Sequence, residues 1–189
     1  MGMPATAHFW TAAEARDLPD DGRRYEVIDG ELLVTPAPRL VHQRAVLRLS
    51  HVIHEYVATH RLGETLCSPA DIELSPDTLV QPDIFVAPPV DGRRPRGWTE
   101  IRGLLLAVEV LSPSTARYDR VTKRRFFSRM GVGDYWIVDA DARVVERWRA
   151  GESRPELVDE RLEWRPGGAR EPLVLDLAEF FRDLSAETL

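Results

Sequence analysis

The stretch Leu104-Leu105-Leu106-Ala107-Val108-Glu109-Val110-Leu111 contains one charged residue, Glu109, among otherwise apolar side chains. Side chains alternate between the two faces of a strand, so apolar residues would cover both faces here. This pattern is typical of a central strand that is buried on both sides. The stretch therefore predicts the middle of a sheet in an α/β protein, with a carboxylate near the carboxyl end of the strand.

Capping, turn and periodicity patterns predict several elements before this strand. They are a short helix that begins with the capping box Thr11-Ala12-Ala13-Glu14 and ends before Pro19, a β-hairpin over 25–34 that turns at Asp29-Gly30, a long helix over 39–60, and strand regions over 64–74 and 80–87. The N-terminal part of the fold is therefore expected to be a helix followed by a hairpin.

The chain after the central strand is expected to continue with a helix that ends at a glycine. The predicted elements are this helix over 116–130, a strand over 135–138, peripheral strands over 143–148 and 156–163, and a closing helix over 176–183. We expect one domain over 1–189, with a core at about 20–140 and peripheral elements over 141–189.

The composition limits the classes of function. Hydrophobic residues make up 43% and charged residues 30%, as in an ordinary soluble protein, and no apolar run is long enough to cross a bilayer. The net charge of −6 argues against a protein that coats phosphate backbones. Cys67 is the only cysteine and no signal peptide is visible, so we expect a cytoplasmic protein, with Cys67 in the core.

Glu109 is the first candidate for chemistry, because a carboxylate within a two-sided apolar strand is costly to bury without a compensating partner. One interpretation is a metal ion or a cation held at the carboxyl end of the strand. The alternative is a carboxylate that reaches solvent, since Ser112 follows three residues later. Asp83 presents the same choice: it lies in another strand-like run, but an aspartate after Pro82 is also common in turns.

Lys123 is the single lysine among 25 basic residues, the other 24 being arginine. On a helix, Phe126, Phe127 and Met130 would lie within about 60° of it, which places the amine in the apolar stripe. It could pair with Asp119 one turn earlier, or extend past the rings to solvent. The third interpretation is that Lys123 points across to carboxylates on the sheet, and arginine is no equivalent where a compact ammonium is needed.

Two acids and a lysine form a coherent chemical set. Mg²⁺ takes oxygen ligands and keeps several waters, so one or two carboxylates suffice to bind it. Such an ion lowers the pKa of a bound water and polarises a phosphoryl oxygen. An ammonium nearby would orient the water or offset charge in the transition state.

The motifs as a set resemble the Uma-type family of predicted endonucleases, within the PD-(D/E)XK nuclease superfamily. The similarity rests on Pro82-Asp83, on Glu109-Val110-Leu111-Ser112-Pro113-Ser114-Thr115, on Lys123, on Gly133-Asp134-Tyr135-Trp136-Ile137-Val138-Asp139, and on the hairpin Tyr25-Glu26-Val27-Ile28-Asp29-Gly30-Glu31-Leu32. The resemblance covers about residues 9–183. It implies a restriction-endonuclease-like mixed β-sheet flanked by helices.

The resemblance also implies residue roles. Asp83 and Glu109 would hold Mg²⁺ or Mn²⁺ together with the main-chain carbonyl of Val110, and Lys123 would assist catalysis. The superfamily motif places its lysine two residues after the acid, where this chain has Leu111, so the lysine would have moved to the following helix.

Two accessory residues are candidates at the same site. His42 lies in the apolar stripe of the long helix and could reach it, although a core histidine with a satisfied hydrogen bond is the alternative. Glu31 could add a carboxylate from the hairpin.

The predicted function is therefore metal-dependent endonucleolytic hydrolysis of phosphodiester bonds, with DNA as the expected nucleic-acid partner and no membrane partner. A homodimer is compatible with this fold. The alternatives are a nuclease-fold binding or assembly module without turnover, which Leu111 and the acidic net charge favour, and a hydrolase of a smaller phosphate ester.

Overall fold

The computed structural model describes residues 8–185. In chain order, this part forms α1 (Ala12–Arg16), β1 (Arg24–Ile28), β2 (Glu31–Thr35), α2 (Leu40–His60), β3 (Glu64–Cys67), β4 (Ile72–Ser75), β5 (Thr78–Val80), β6 (Ile84–Ala87), a 3₁₀ turn (Trp98–Glu100), β7 (Leu106–Val110), α3 (Ala116–Tyr118), a π-helical turn (Asp119–Lys123), α4 (Arg124–Arg129), β8 (Asp134–Asp139), β9 (Val144–Arg149), β10 (Glu156–Val158), β11 (Arg161–Trp164), β12 (Leu173–Asp176) and α5 (Leu177–Leu184).

The main sheet has six strands in the order β10-β9-β8-β7-β6-β3. β7 pairs in parallel with β8, and all the other neighbours in this sheet are antiparallel, so the sheet is mixed as predicted. All five residues of β7 are buried. The prediction of a central strand covered on both faces is confirmed.

The two faces of the main sheet are covered by different layers. Ile84, Val86 and Val108 share one core cluster with the buried stripe of α2 and with α5. Phe85 and Ala107, which alternate with them along the strands, share another cluster with the phenylalanines of α4. Each strand therefore contributes to both cores, which is why its sequence shows no polar alternation.

A second sheet, in the order β2-β1-β5-β4, holds the N-terminal hairpin. The capping box at Thr11 and the hairpin turn are confirmed, with Asp29 and Gly30 both at positive φ as a tight turn requires. The prediction of one strand over 80–87 is wrong, because β5 belongs to the second sheet and β6 to the main sheet. The chain crosses between the sheets at Pro82, which lacks the N–H group needed to continue a ladder.

The predicted regular helix over 116–130 is interrupted. Its middle, Asp119–Lys123, is a π-helical turn that contains the β-branched residues Val121 and Thr122. Such residues lower α-helix propensity, and π turns are frequent at functional sites. Gly131, at positive φ, ends the helix as predicted.

Several other details differ from expectation. The region 156–163 is two strands, of which β10 extends the main sheet while β11 pairs with β12, a strand that was not predicted. Trp164, at the end of β11, is fully buried in the core against α2 and α5. Cys67 is exposed rather than buried, because it lies on the edge strand β3.

None of the helices in the described range 8–185 has the length and apolarity to cross a membrane.

Candidate active site

The pairing of β6 with β7 places Asp83 beside Glu109. Ile84 lies opposite Val108 in the antiparallel register, so the next step brings Asp83 opposite Glu109. The backbone N–H of Val110 donates to Asp83 Oδ2 at 2.9 Å. Each carboxylate residue is only 3% exposed, so the two acids lie at the bottom of the site.

Lys123 reaches the same place from the helix that covers this face of the sheet. Its Nζ lies 2.8 Å from Glu109 Oε1, 2.9 Å from Glu26 Oε2 and 3.7 Å from Asp119 Oδ1. The amine is buried, so the interpretation in which it extends to solvent does not describe this structure. The helical pair with Asp119 and the contact with the sheet both exist, and the contact with the sheet is the shorter.

Asp83 is also held by two residues from outside β6 and β7. Arg24, on β1, donates to Oδ1 at 2.8 Å, and His42, at the start of α2, lies with Nε2 2.9 Å from Oδ2. An ionised carboxylate only accepts, so Nε2 is the donor when Asp83 is ionised. His42 is 5% exposed and contacts Asp83 directly, so it is both a buried histidine and a residue of the site.

These contacts shift the pKa of Asp83 and that of Lys123 toward the charged forms. Burial alone would raise the pKa of Asp83, but the His42 hydrogen bond and the Arg24 charge lower it to about 2. Burial would lower the pKa of Lys123, but the charges of Glu109, Glu26 and Asp119 raise it well above its usual range. Lys123 is therefore a permanent cation.

Glu109 is shifted in the opposite direction. Burial raises its pKa well above the usual range, and the charges of Asp83, Asp119 and Glu26 add to this effect, while Lys123 opposes it. Burial likewise raises the pKa of Asp119. Four carboxylates belong to the site, and within residues 8–185 the permanent cations in direct contact with them are two, Arg24 and Lys123. The raised pKa values of Glu109 and Asp119 indicate that protons balance part of this excess, and a divalent cation would take the place of those protons when bound.

The carboxylates line a cavity of about 230 Å³. Its walls come from the segment after β2, from the start of α2, and from the loop after β7. The lining residues are Arg24, Glu26, Thr35, Pro36, Ala37, Pro38, Arg39, His42, Asp83, Glu109, Val110, Ser112, Pro113, Ser114, Thr115, Asp119 and Lys123. The candidate residues Asp83, Glu109 and Lys123 thus share one cavity.

Comparison with known proteins identifies the family. The family model Uma2, described as "Putative restriction endonuclease", matches residues 12–184, most of the chain. The chain belongs to the Uma2 family. The resemblance inferred from the motifs is therefore confirmed, and the family is nuclease-like.

A solved structure supports the fold of this Uma2 protein. It is described as "a putative nuclease belonging to DUF820 from Anabaena variabilis" and is 22% identical in sequence. The TM-score is 0.72, and the match covers 93% of this chain and 99% of that chain. At this identity the likeness shows the fold alone, which confirms the predicted α/β class. A comparison with curated proteins found no match.

The remaining candidates of the Uma2 protein differ in position. Val110 lines the cavity, as required for a ligand from its main chain. Glu31 lies at the start of β2, is exposed, and is not among the residues that line the cavity.

Sequence reasoning missed Arg24 and Glu26 as site residues. Glu26 lies in the hairpin motif that carried the resemblance, and Arg24 directly precedes that motif. An alternation of buried and exposed positions does not predict a strand whose residues 26, 27 and 28 are all buried.

The donor set is compatible with Mg²⁺ or Mn²⁺. Within residues 8–185, no group of three or more His, Cys, Asp or Glu side chains is arranged to hold a metal ion. Mg²⁺ does not require such a group, because one or two carboxylates plus waters suffice. The hydrogen bond from Lys123 uses Oε1 of Glu109, and a carboxylate offers about four lone-pair positions, so acceptor capacity remains.

Proposed function

We propose that this protein is a Mg²⁺- or Mn²⁺-dependent endonuclease that hydrolyses phosphodiester bonds in DNA. The observation that carries the proposal is the convergence of Asp83, Glu109 and Lys123 in one cavity, where carboxylates exceed permanent cations. Membership in a nuclease-like family supports the same class of reaction.

Asp83 and Glu109 would hold the metal ion, together with the main-chain carbonyl of Val110. When bound, such an ion supplies a water of lowered pKa and polarises a phosphoryl oxygen. The raised pKa of Glu109 fits a role as a metal ligand. It indicates that the surrounding cations balance the charge of this carboxylate only in part, so a bound metal ion would stabilise the ionised form. Glu31 has no part in the proposed machinery, since it lies outside the cavity lining.

Lys123 would act through its charge. A lysine whose pKa is raised well above its usual range does not give up its proton near neutral pH, so it is not the general base. A fixed ammonium beside Glu109 instead stabilises negative charge that develops on the phosphoryl oxygens. Its three carboxylate contacts hold the amine in place before the substrate binds, which avoids reorganisation during the reaction.

Arg24 and His42 would position Asp83. Together with the N–H of Val110 they occupy both oxygens of this carboxylate and fix its plane. Residues that orient metal ligands typically contribute 10- to 100-fold to metal affinity or activity, and we expect this contribution from His42 in affinity and from Arg24 in the rate of cleavage.

The direct test is nicking of supercoiled plasmid and of single-stranded DNA with Mg²⁺, Mn²⁺ or EDTA. The proposal predicts metal-dependent cleavage that is lost in Asp83→Ala, in Glu109→Gln and in Lys123→Met. Glu55→Gln, an exposed charge change on α2, serves as the control that retains activity. Wild-type cleavage that persists unchanged in Asp83→Ala would rule out the proposed mechanism.

A second candidate is a nuclease-fold binding module without turnover. Leu111 favours it, because this position carries the lysine in the superfamily motif. Calorimetric titration with Mn²⁺ separates the two, since metal binding without cleavage of any nucleic acid or of bis(p-nitrophenyl) phosphate supports the module. Cleavage of that small diester alone would instead indicate a hydrolase of smaller phosphate esters.

A further inference from the structure

We propose that the cavity admits one nucleic-acid strand and excludes an intact duplex, an inference that rests on the proposed endonuclease function. The first reason is depth. Asp83, Glu109 and Lys123 are each 3% exposed, so a scissile phosphate must descend to the bottom of the cavity to reach them. The cavity of about 230 Å³ is smaller than the roughly 300 to 1,000 Å³ of ordinary small-molecule sites. It has room for a phosphodiester and an ion with part of one nucleotide.

The second reason is the stiffness of two walls. One wall is the segment Pro36-Ala37-Pro38, which is anchored between β2 and the first turn of α2. The other is the loop Ser112-Pro113-Ser114-Thr115, anchored between β7 and α3. Proline fixes its own backbone φ angle, and a regular element holds each end of both walls, which limits how far either wall moves. A phosphate in a duplex carries its base-paired neighbours with it, whereas a single strand can bend into a narrow opening.

The third reason is charge. Binding of duplex DNA normally depends on several arginines and lysines that displace counterions from both strands. Three basic residues line this cavity, but Arg24 and Lys123 are paired with its carboxylates. Arg39, which is half exposed and 3.3 Å from Asp141, is the cation nearest to solvent among the lining residues. The cavity therefore offers little attraction for the two phosphate backbones of a duplex.

One wall instead offers neutral hydrogen-bonding groups. The Ser112 hydroxyl lies 3.0 Å from the Ser114 hydroxyl and 3.0 Å from that of Thr115. Hydroxyls donate to phosphate oxygens without adding charge, and such contacts position a strand in its site. The three hydroxyls of Ser112, Ser114 and Thr115 are therefore suited to bind a single strand. They would contact the phosphates on either side of the bond that is cleaved.

The test compares a labelled DNA oligonucleotide alone, the same oligonucleotide annealed to its complement, and a duplex with a single-stranded gap, all with Mn²⁺. We expect the single strand to be cleaved roughly tenfold or more faster than the duplex, because unpairing is an added cost. Cleavage of the third substrate should be confined to the gap. Equal or faster cleavage of the intact duplex overturns this inference while leaving the proposed function standing. Absence of cleavage of all three substrates contradicts the proposed function itself.

The walls can be tested separately. Replacing both prolines of the first wall, Pro36→Gly with Pro38→Gly, should raise duplex cleavage relative to single-strand cleavage. The matched control replaces the adjacent pair Pro88→Gly and Pro89→Gly, which follows β6 at the other end of the strand from Asp83. The control should leave the ratio of the two rates unchanged. A ratio that moves equally in both variants contradicts the proposed role of the walls, and thermal melting shows that each variant is folded.

Discussion

Glu26 binds the amine of Lys123 through Oε2 at 2.9 Å and accepts a hydrogen bond from the backbone N–H of Gln81 through Oε1 at 2.8 Å. Gln81 is two residues before Asp83, at the point where the chain crosses between the sheets. One buried carboxylate thus connects the hairpin, the crossing segment and the helix. Glu26 therefore sets the position of Lys123 relative to Asp83.

We predict that Glu26→Gln lowers the rate of DNA nicking roughly 10- to 100-fold, as for other residues that orient a metal site. The amide keeps the shape of the side chain but removes the charge that attracts Lys123. The reduction is expected in kcat rather than in KM, because Glu26 acts by positioning Lys123. Glu55→Gln is the control, and a kcat equal to that of the control would contradict the positioning role.

We predict that Lys123→Met destabilises the fold by about 3 to 5 kcal/mol, the cost of leaving buried charges without a partner. Urea unfolding in EDTA measures this change. Arg125→Met, on the exposed side of the same helix, should change stability by no more than about 0.5 kcal/mol. The double variant Lys123→Met with Glu109→Gln should recover part of the loss, and strictly additive effects would show that the two side chains do not interact.

The raised pKa of Glu109 predicts a pH-dependent stability of the metal-free protein. The folded state binds more protons than the unfolded state between the ordinary value of 4.5 and the raised value, so stability falls as pH rises through this range. The unfolding free energy of wild type minus that of Glu109→Gln should therefore decrease from about pH 5 to pH 8 in EDTA. Mn²⁺ should reduce this decrease, because the ion balances the carboxylate charge. A difference that is constant with pH would be inconsistent with a raised pKa.

Arg24 is predicted to weaken metal binding even as it positions Asp83. Its guanidinium lies 2.8 Å from a carboxylate that would hold the ion, so two cations compete for one anion. Arg24→Gln should tighten Mn²⁺ binding by roughly tenfold in calorimetric titration, because a repelling charge is removed. The neighbouring Arg23→Gln is the matched control, since Arg23 is 60% exposed and pairs with Asp21. Equal affinities of the two variants would show that the Arg24 charge does not act on the ion.

The central strand and the candidate acids were predictable because their signals are local. A charged residue inside an apolar run that is buried on both faces, such as Glu109, indicates that a partner of opposite charge lies nearby, because an unpaired buried charge is costly. The burial of Lys123 followed from helical periodicity, and it holds although the helix contains a π turn. The crossing between the sheets at Pro82 was not predictable in the same way. The strand-like sequences before and after Pro82 look like one strand, but β5 belongs to the second sheet and β6 to the main sheet.

The amino-acid sequence by itself determined the family, the α/β class and the three residues at the centre of the proposed site, because these depend on residue type and spacing along the chain. Only the tertiary structure decided that Arg24, Glu26 and Asp119 join them, and that the acids outnumber their counterions. The physical reason is that the balance of charge in a buried site is a sum over residues far apart in the chain. Spacing within one element contains no information about which distant side chains complete that sum.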